Sequence, residues 1–192
     1  MPERNQAALD FLLTRRSRPA KTLVAPAPTR EQLMPILTAA ARSPDHGKLE
    51  PWRFIVVEKG AMARLADLAE ARGKALGKSD DDIAKGRSQF DLGHLAVVVV
   101  EVQVAAEKIP PIEQSYSAGA VCLAMLNGAL ASGWGANWLS GWVSHDRAFC
   151  EVGLGLAGNE RIAGFIHIAT EGAKPPERPR PDLDAKTEWV TQ

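Results

Sequence analysis

Cysteine is scarce, with only Cys122 and Cys150 among 192 residues. The two form no CxxC pair, and isolated thiols suit a reducing compartment better than a disulfide framework. The four histidines (His46, His94, His145, His167) show no HExxH or His/Cys spacing, so no metal site is expected. Long apolar runs are also missing: the strongest, 95–100, falls far short of the roughly 20 residues that span a bilayer. Nothing of signal-peptide character precedes Arg15-Arg16. Net charge is absent, since 23 basic residues offset 23 acidic ones. That balance argues against coating a nucleic acid or an anionic membrane, and leaves room for a local anion site. No GxGxxG opens a strand-turn-helix unit and there is no GxxxxGK[ST], so the common dinucleotide and nucleoside-triphosphate folds are not supported. The expectation is one cytoplasmic domain over 1–192, with 45% hydrophobic residues to build a core.

The patterning that is present alternates helices and strands. Leu9, Leu12 and Leu13 share one helical face within 5–16, and Pro19 ends that helix. Thr29 and Gln32 suggest a capping box for a second helix, with Pro35 predicting a kink or a non-helical start. A polar loop, 43–51, leads into a strand from Trp52 to Val57. Segments 61–77 and 80–90 read as a helical pair forming a lid, and 95–104 as a strand buried on both faces. A long helix over 113–132 is dense in small residues, which suits close approach of another helix. Residues 133–141 read as strand and turn, followed by a short helix begun by Ser144 with Asp146 in its first turn. The last clear strand is 162–170. Four prolines then stiffen 174–181, and Trp189 anchors a strand-like end that suits docking on a partner subunit. This order gives an α+β or mixed α/β sandwich around one sheet.

Four places could carry chemistry. Arg15-Arg16-Ser17-Arg18 offers donors for a phosphate, or simply complements a helix C-terminus. The loop from Arg42 to Trp52 is placed for binding, although most polar loops merely connect. Glycines at 133, 135 and 141 among tryptophans 134, 138 and 142 suit backbone approaching a flat ligand, or a tryptophan-rich core strand. Arg178 and Arg180 alternate onto one side of an extended arm, able to grip one phosphate or to remain solvated. Cys122 reads as a core thiol, and no serine has a nucleophile-elbow context.

Taken in order, these motifs resemble one family. Arg-Arg-Ser after the first helix, the Ser-Pro-x-His-x-x-x-Glu-Pro-Trp-x-Phe loop, the Trp-x-Ser-Gly turn and the Arg-x-Arg arm are similar to those of the FMN-dependent nitroreductases, in their small single-domain subgroup. The resemblance runs from about Leu9 to Arg180. It implies an α-β-α sandwich around a central mixed sheet. It also implies a domain-swapped homodimer, with FMN at the subunit interface and residues 174–192 as an arm docking on the partner. Arg15, Arg16 and Ser17 would hold the FMN phosphate and ribityl region, and Arg180 would close on the phosphate. Arg42 and His46 would reach the flavin from the other subunit. Trp138, Leu139, Ser140 and Gly141 would line the isoalloxazine, with their backbone amides near N5. The implied activity is ping-pong: NADPH or NADH passes a hydride to flavin N5 and leaves, and a nitro compound or other electron-poor acceptor takes its place. No side chain is assigned as an obligatory acid or base.

Departures fall on the substrate side. Glu50 stands where glutamine is usual, Lys48 where asparagine or serine is, Leu139 in place of an arginine, and Thr170-Glu171-Gly172 in place of a Gly-x-Pro turn. Two other classes therefore stay open. One is a flavin-binding or flavin-sequestering protein with little turnover; the other is a helical scaffold whose arginines make only salt bridges.

Overall fold

A computed structural model describes residues 3–192. Its centre is β3 (Leu95–Val102), whose run of valines has no polar face and is buried on both sides. Alternation divides that strand between two cores. Ala96, Val98 and Val100 point into one and Val97 and Val99 into the other. The first core lies under α3 (Lys59–Ala75), α4 (Asp80–Asp91), α6 (Trp142–His145) and α7 (Arg147–Leu154). The second lies under α2 (Arg30–Ala40) and α5 (Pro111–Ala131). The result is the expected α-β-α sandwich.

The sheet is not mixed, however. β3 pairs antiparallel with β2 (Trp52–Glu58) and with β5 (Glu160–Glu171). β5 also pairs antiparallel with β4 (Gly135–Leu139) and with the short β1 (Leu23–Val24). Every strand pair among the described residues is antiparallel. The reason is the connections. Two helices in succession, α3 and α4, bring the chain back to the end of the sheet it left, so β3 runs against β2. The single helix α5 makes β4 run in the direction of β3, but β5 lies between those two, so no parallel ladder forms.

Several local expectations are also revised. α2 runs through Pro35, because the capping box of Thr29 and Gln32 and the burial of Leu33, Ile36 and Ala40 outweigh one lost backbone bond. α3 is no lid: Met62, Leu65, Ala66 and Ala69 are buried in the core. Asp146 caps α7 rather than sitting within a helix begun at Ser144. Its Oδ2 accepts from Phe149 N at 3.0 Å while its carboxylate takes Arg72 in a two-point pair. The segment 188–192 forms no strand in the described chain.

One close approach fixes the layer that covers the site. A Cβ on Gly86 of α4 would lie 2.6 Å from the indole nitrogen of Trp142, which donates to Asp82 O at 2.9 Å. Gly60 near the start of α3 faces open space. Both alanines gain helix propensity, but only one meets a neighbour. Gly60→Ala is expected to raise the urea midpoint slightly. Gly86→Ala is expected to lower stability by about 1–3 kcal/mol as Trp142 is displaced. Parallel urea titrations check the opposite signs.

Candidate functional site

The chain leaves α1 (Gln6–Thr14) at Arg15, whose amide still bonds Phe11 O at 2.7 Å. Residues 15–18 are then stapled to β4. Arg18 N donates to Ala136 O at 2.8 Å, and Asn137 Nδ2 donates to Arg18 O at 2.7 Å. Arg18 itself pairs with Glu171 at 2.9 Å and donates to Arg16 O at 2.7 Å, so it braces the turn. This leaves Arg15, Arg16 and Ser17 facing a cavity of about 380 Å³, together with Asn137, Arg178 and Arg180.

The electrostatics of that cavity are one-sided. Arg15 Nε and Arg16 Nη1 are buried without a hydrogen-bond partner. Burial first, then the charges of Arg180 and Arg18, push the Arg15 guanidinium below its ordinary pKa. One carboxylate is near: Glu177, on the same arm, pairs with Arg180 at 2.9 Å. Four guanidiniums against one arm carboxylate leave a net positive cleft whose inner donors lack an acceptor, and an anion supplies both the charge and the acceptors.

A second cavity, also about 380 Å³, adjoins the first through Pro19 and Asn137. Its apolar wall includes Leu23, Leu92 and Leu139, and its polar groups include Lys85, Gln89 and His167. Ser140 and Gln89 also line a third hollow beside Gly141 and Trp142. Gly141, with φ of 153°, makes the turn from β4 into α6. The three hollows form one tract from the arginine cluster, along β4, to Trp142.

Arg15, Arg16, Ser17, Arg180, Leu139, Ser140 and Gly141 thus line this tract. Trp138 does not. Its neighbours in the ladder place its side chain on the α5 face, where the indole lies over Gly164 and donates to Ala163 O at 3.3 Å. Adjacent strand residues point to opposite faces, so Trp138 and Leu139 cannot both line one hollow with their side chains. Arg42 and His46 line none of the three; His46 Nδ1 lies 2.6 Å from Glu113 Oε2 at the start of α5. Their loop holds Lys48 and Glu50 at positive φ (55° and 48°), with Glu50 N donating to Asp45 Oδ2 at 2.7 Å. Such strain in ordinary residues is typical of functional loops. Asn137, Gln89 and His167 were missed. His167 had a signal, as the one polar side chain between Ile162 and Ala169 in an apolar strand.

A family model described as "Nitroreductase family" matches residues 12–170. The chain belongs to the nitroreductase family. Its relatives include "Putative NAD(P)H nitroreductase YdjA" of Escherichia coli K12, 36% identical over 167 residues, which are 87% of this chain and 90% of that protein. A Haemophilus influenzae protein of similar description is 34% identical over 96% of this chain and 98% of its own. Among solved folds, a nitroreductase-like protein from Bacillus cereus superposes with a TM-score of 0.78 at 22% identity, covering 99% and 98% of the two chains. A protein from Desulfovibrio desulfuricans crystallised in complex with FMN gives 0.76 at 19% identity, covering 99% and 100%. For this nitroreductase-family chain, Cys122 is excluded as a nucleophile: it is wholly buried, and burial pushes its thiol up to about 12.

Proposed function

We propose that the chain is an FMN-dependent NAD(P)H oxidoreductase that reduces nitro compounds or similar electron-poor acceptors. The observation that carries the reading is the arginine cluster, with buried N–H groups of Arg15 and Arg16 left without an acceptor. A phosphate monoester fits that donor set, because it brings up to two negative charges and several acceptor oxygens. Arg15, Arg16, Ser17 and Arg180 hold the phosphate, and the adjoining tract past Leu139, Ser140 and Gly141 receives the ring system. FMN, when bound, supplies the hydride-accepting centre; the residues around it bind, orient and limit water.

The partner is a second copy of the chain. Along α5, Ile112, Tyr116 and Leu123 are exposed, and Gly119 between them meets nothing within 4 Å, a stripe at coiled-coil spacing. Helix α1 buries none of its residues and exposes Leu9, Leu12 and Leu13. Apolar side chains exposed along each of these helices mark association surfaces. The His46–Glu113 contact lies at one end of the α5 stripe, so the second copy brings Arg42 and His46 towards the first copy's flavin. No helix among the described residues is long and apolar enough to cross a membrane. Two free buried thiols fit a cytoplasmic location.

FMN fluorescence quenching tests the phosphate assignment. Arg15→Ala is expected to weaken FMN about ten- to a hundredfold, since a hydrogen bond to a charged group is worth roughly 1.5–3 kcal/mol. The exposed Arg30→Ala is the control. Arg53 is unsuitable, because it holds the largely buried Glu160 at 2.6 and 2.8 Å. Equal affinities for the two variants would overturn the assignment. Anaerobic bleaching of the bound flavin by NADPH or NADH separates the enzyme from a flavin-sequestering protein.

A further inference from the structure

His167 sits at the middle of the sheet, in register with Ala96 of β3 on one side and Asn137 of β4 on the other. Ala96 faces the core under α3 and α4, so the imidazole faces that layer too. There it meets the second cavity, not packed helix. The residue is 2% exposed, yet neither ring nitrogen has a hydrogen-bond partner. A buried imidazole without partners is costly, and native interiors seldom leave both nitrogens unmade. On the α4 wall of the same cavity, Gln89 Oε1 is buried and unpartnered as well. Two orphaned polar groups therefore look into one hollow from opposite walls, among leucines.

We propose that His167 is a positioning residue for the ligand of this cavity, completing its hydrogen bonding on a flat heterocycle that carries both donors and acceptors. Where the ligand is FMN, the inference rests on the reading given above. No carboxylate lines the cavity; its cationic groups are Lys21 and Lys85, with His94 beside them. Burial alone pushes the pKa of His167 down to about 4, so near neutral pH the ring is uncharged and offers one donor and one acceptor. Gln89 Oε1 adds a second acceptor across the hollow. An edge that alternates carbonyl and N–H groups, as a pyrimidine edge does, matches this set. The arginine cluster next door is reached through Pro19 and Asn137, so one molecule with a phosphate and a ring can occupy both.

Two ligands and three variants separate the parts. FMN and riboflavin are titrated by fluorescence quenching into the full-length chain, its Arg15→Ala variant, and its His167→Phe and His167→Gln variants. His167→Phe keeps apolar bulk and removes both ring nitrogens. It is expected to weaken FMN and riboflavin by the same factor, about tenfold, the scale of one buried hydrogen bond. Its urea midpoint without ligand is expected to stay equal or rise, because an orphaned polar group has been removed. His167→Gln, which keeps a donor and an acceptor, is expected to recover part of the affinity. Arg15→Ala is expected to weaken FMN while leaving riboflavin unchanged. Unchanged affinity of His167→Phe for both flavins would overturn the role of His167 and leave FMN binding standing. No binding of either flavin to the parent chain would overturn the flavin reading itself. A fall in stability of His167→Phe without a fall in affinity would make His167 a core residue only.

Discussion

Deleting residues 174–192 is expected to abolish tight FMN binding and weaken self-association in one step. The arm makes little contact with its own chain: Leu183, Trp189 and Val190 are 70%, 85% and 81% exposed. Leaving a tryptophan and two aliphatic side chains in water forgoes roughly 1.5–3 kcal/mol for each, which docking on a second copy would recover. The same arm carries Arg178 and Arg180 into the anion cleft. Losing two charge-assisted contacts is expected to lower FMN affinity by at least about a hundredfold, more than Arg15→Ala alone. Sedimentation velocity of the truncated chain, with flavin absorbance recorded in the same run, reads both effects. A truncated protein that stays dimeric and fully loaded would show the arm to be a solvated tail.

Acid is expected to destabilise the ligand-free protein through His167. Burial lowers its pKa from an ordinary 6.5 to about 4 in the folded chain. Between those values the unfolded chain binds a proton that the folded one refuses, so stability rises with pH across this window. The contribution is complete above the unfolded value and is lost as pH falls towards about 4. Its full size is about 3 kcal/mol, and below the folded value it changes no further. Carboxylates held low by arginines add a loss of the same sign. Glu101 is one: burial pushes its pKa up, but Arg161, Ser115 and Gln103 together hold it below the ordinary value; Glu160 is another, held by Arg53. The His167→Phe variant isolates the imidazole. Its stability, measured by urea titration at pH 4.5 and 7, is expected to fall by clearly less than that of the parent. Equal pH slopes for the two proteins would show that His167 titrates normally in the folded chain.

The two predictions probe features that differ in how visible they were. The arm announced itself through four prolines, paired arginines and a terminal tryptophan, all local signals. His167 did not, because its meaning depends on β5 lying between β3 and β4 and on which face carries the cavity.

The amino-acid sequence by itself determined the order and type of the main elements, the valine-rich central strand, the Thr29–Gln32 cap and the Arg15-Arg16-Ser17 and Arg178–Arg180 motifs. Each is a signal within a few residues: apolar period, capping chemistry, proline punctuation, clustered guanidiniums. Only the tertiary structure decided that every described strand pair is antiparallel, since that follows from how many helices separate the strands and which strand inserts between them. It also set Trp138 and Leu139 on opposite faces of the sheet, joined the arm's arginines to Arg15 across more than 160 residues of chain, and left His167 and Gln89 without partners around one cavity. Those outcomes come from register and packing between segments far apart in the chain, where a shift of one residue exchanges the two faces of a strand.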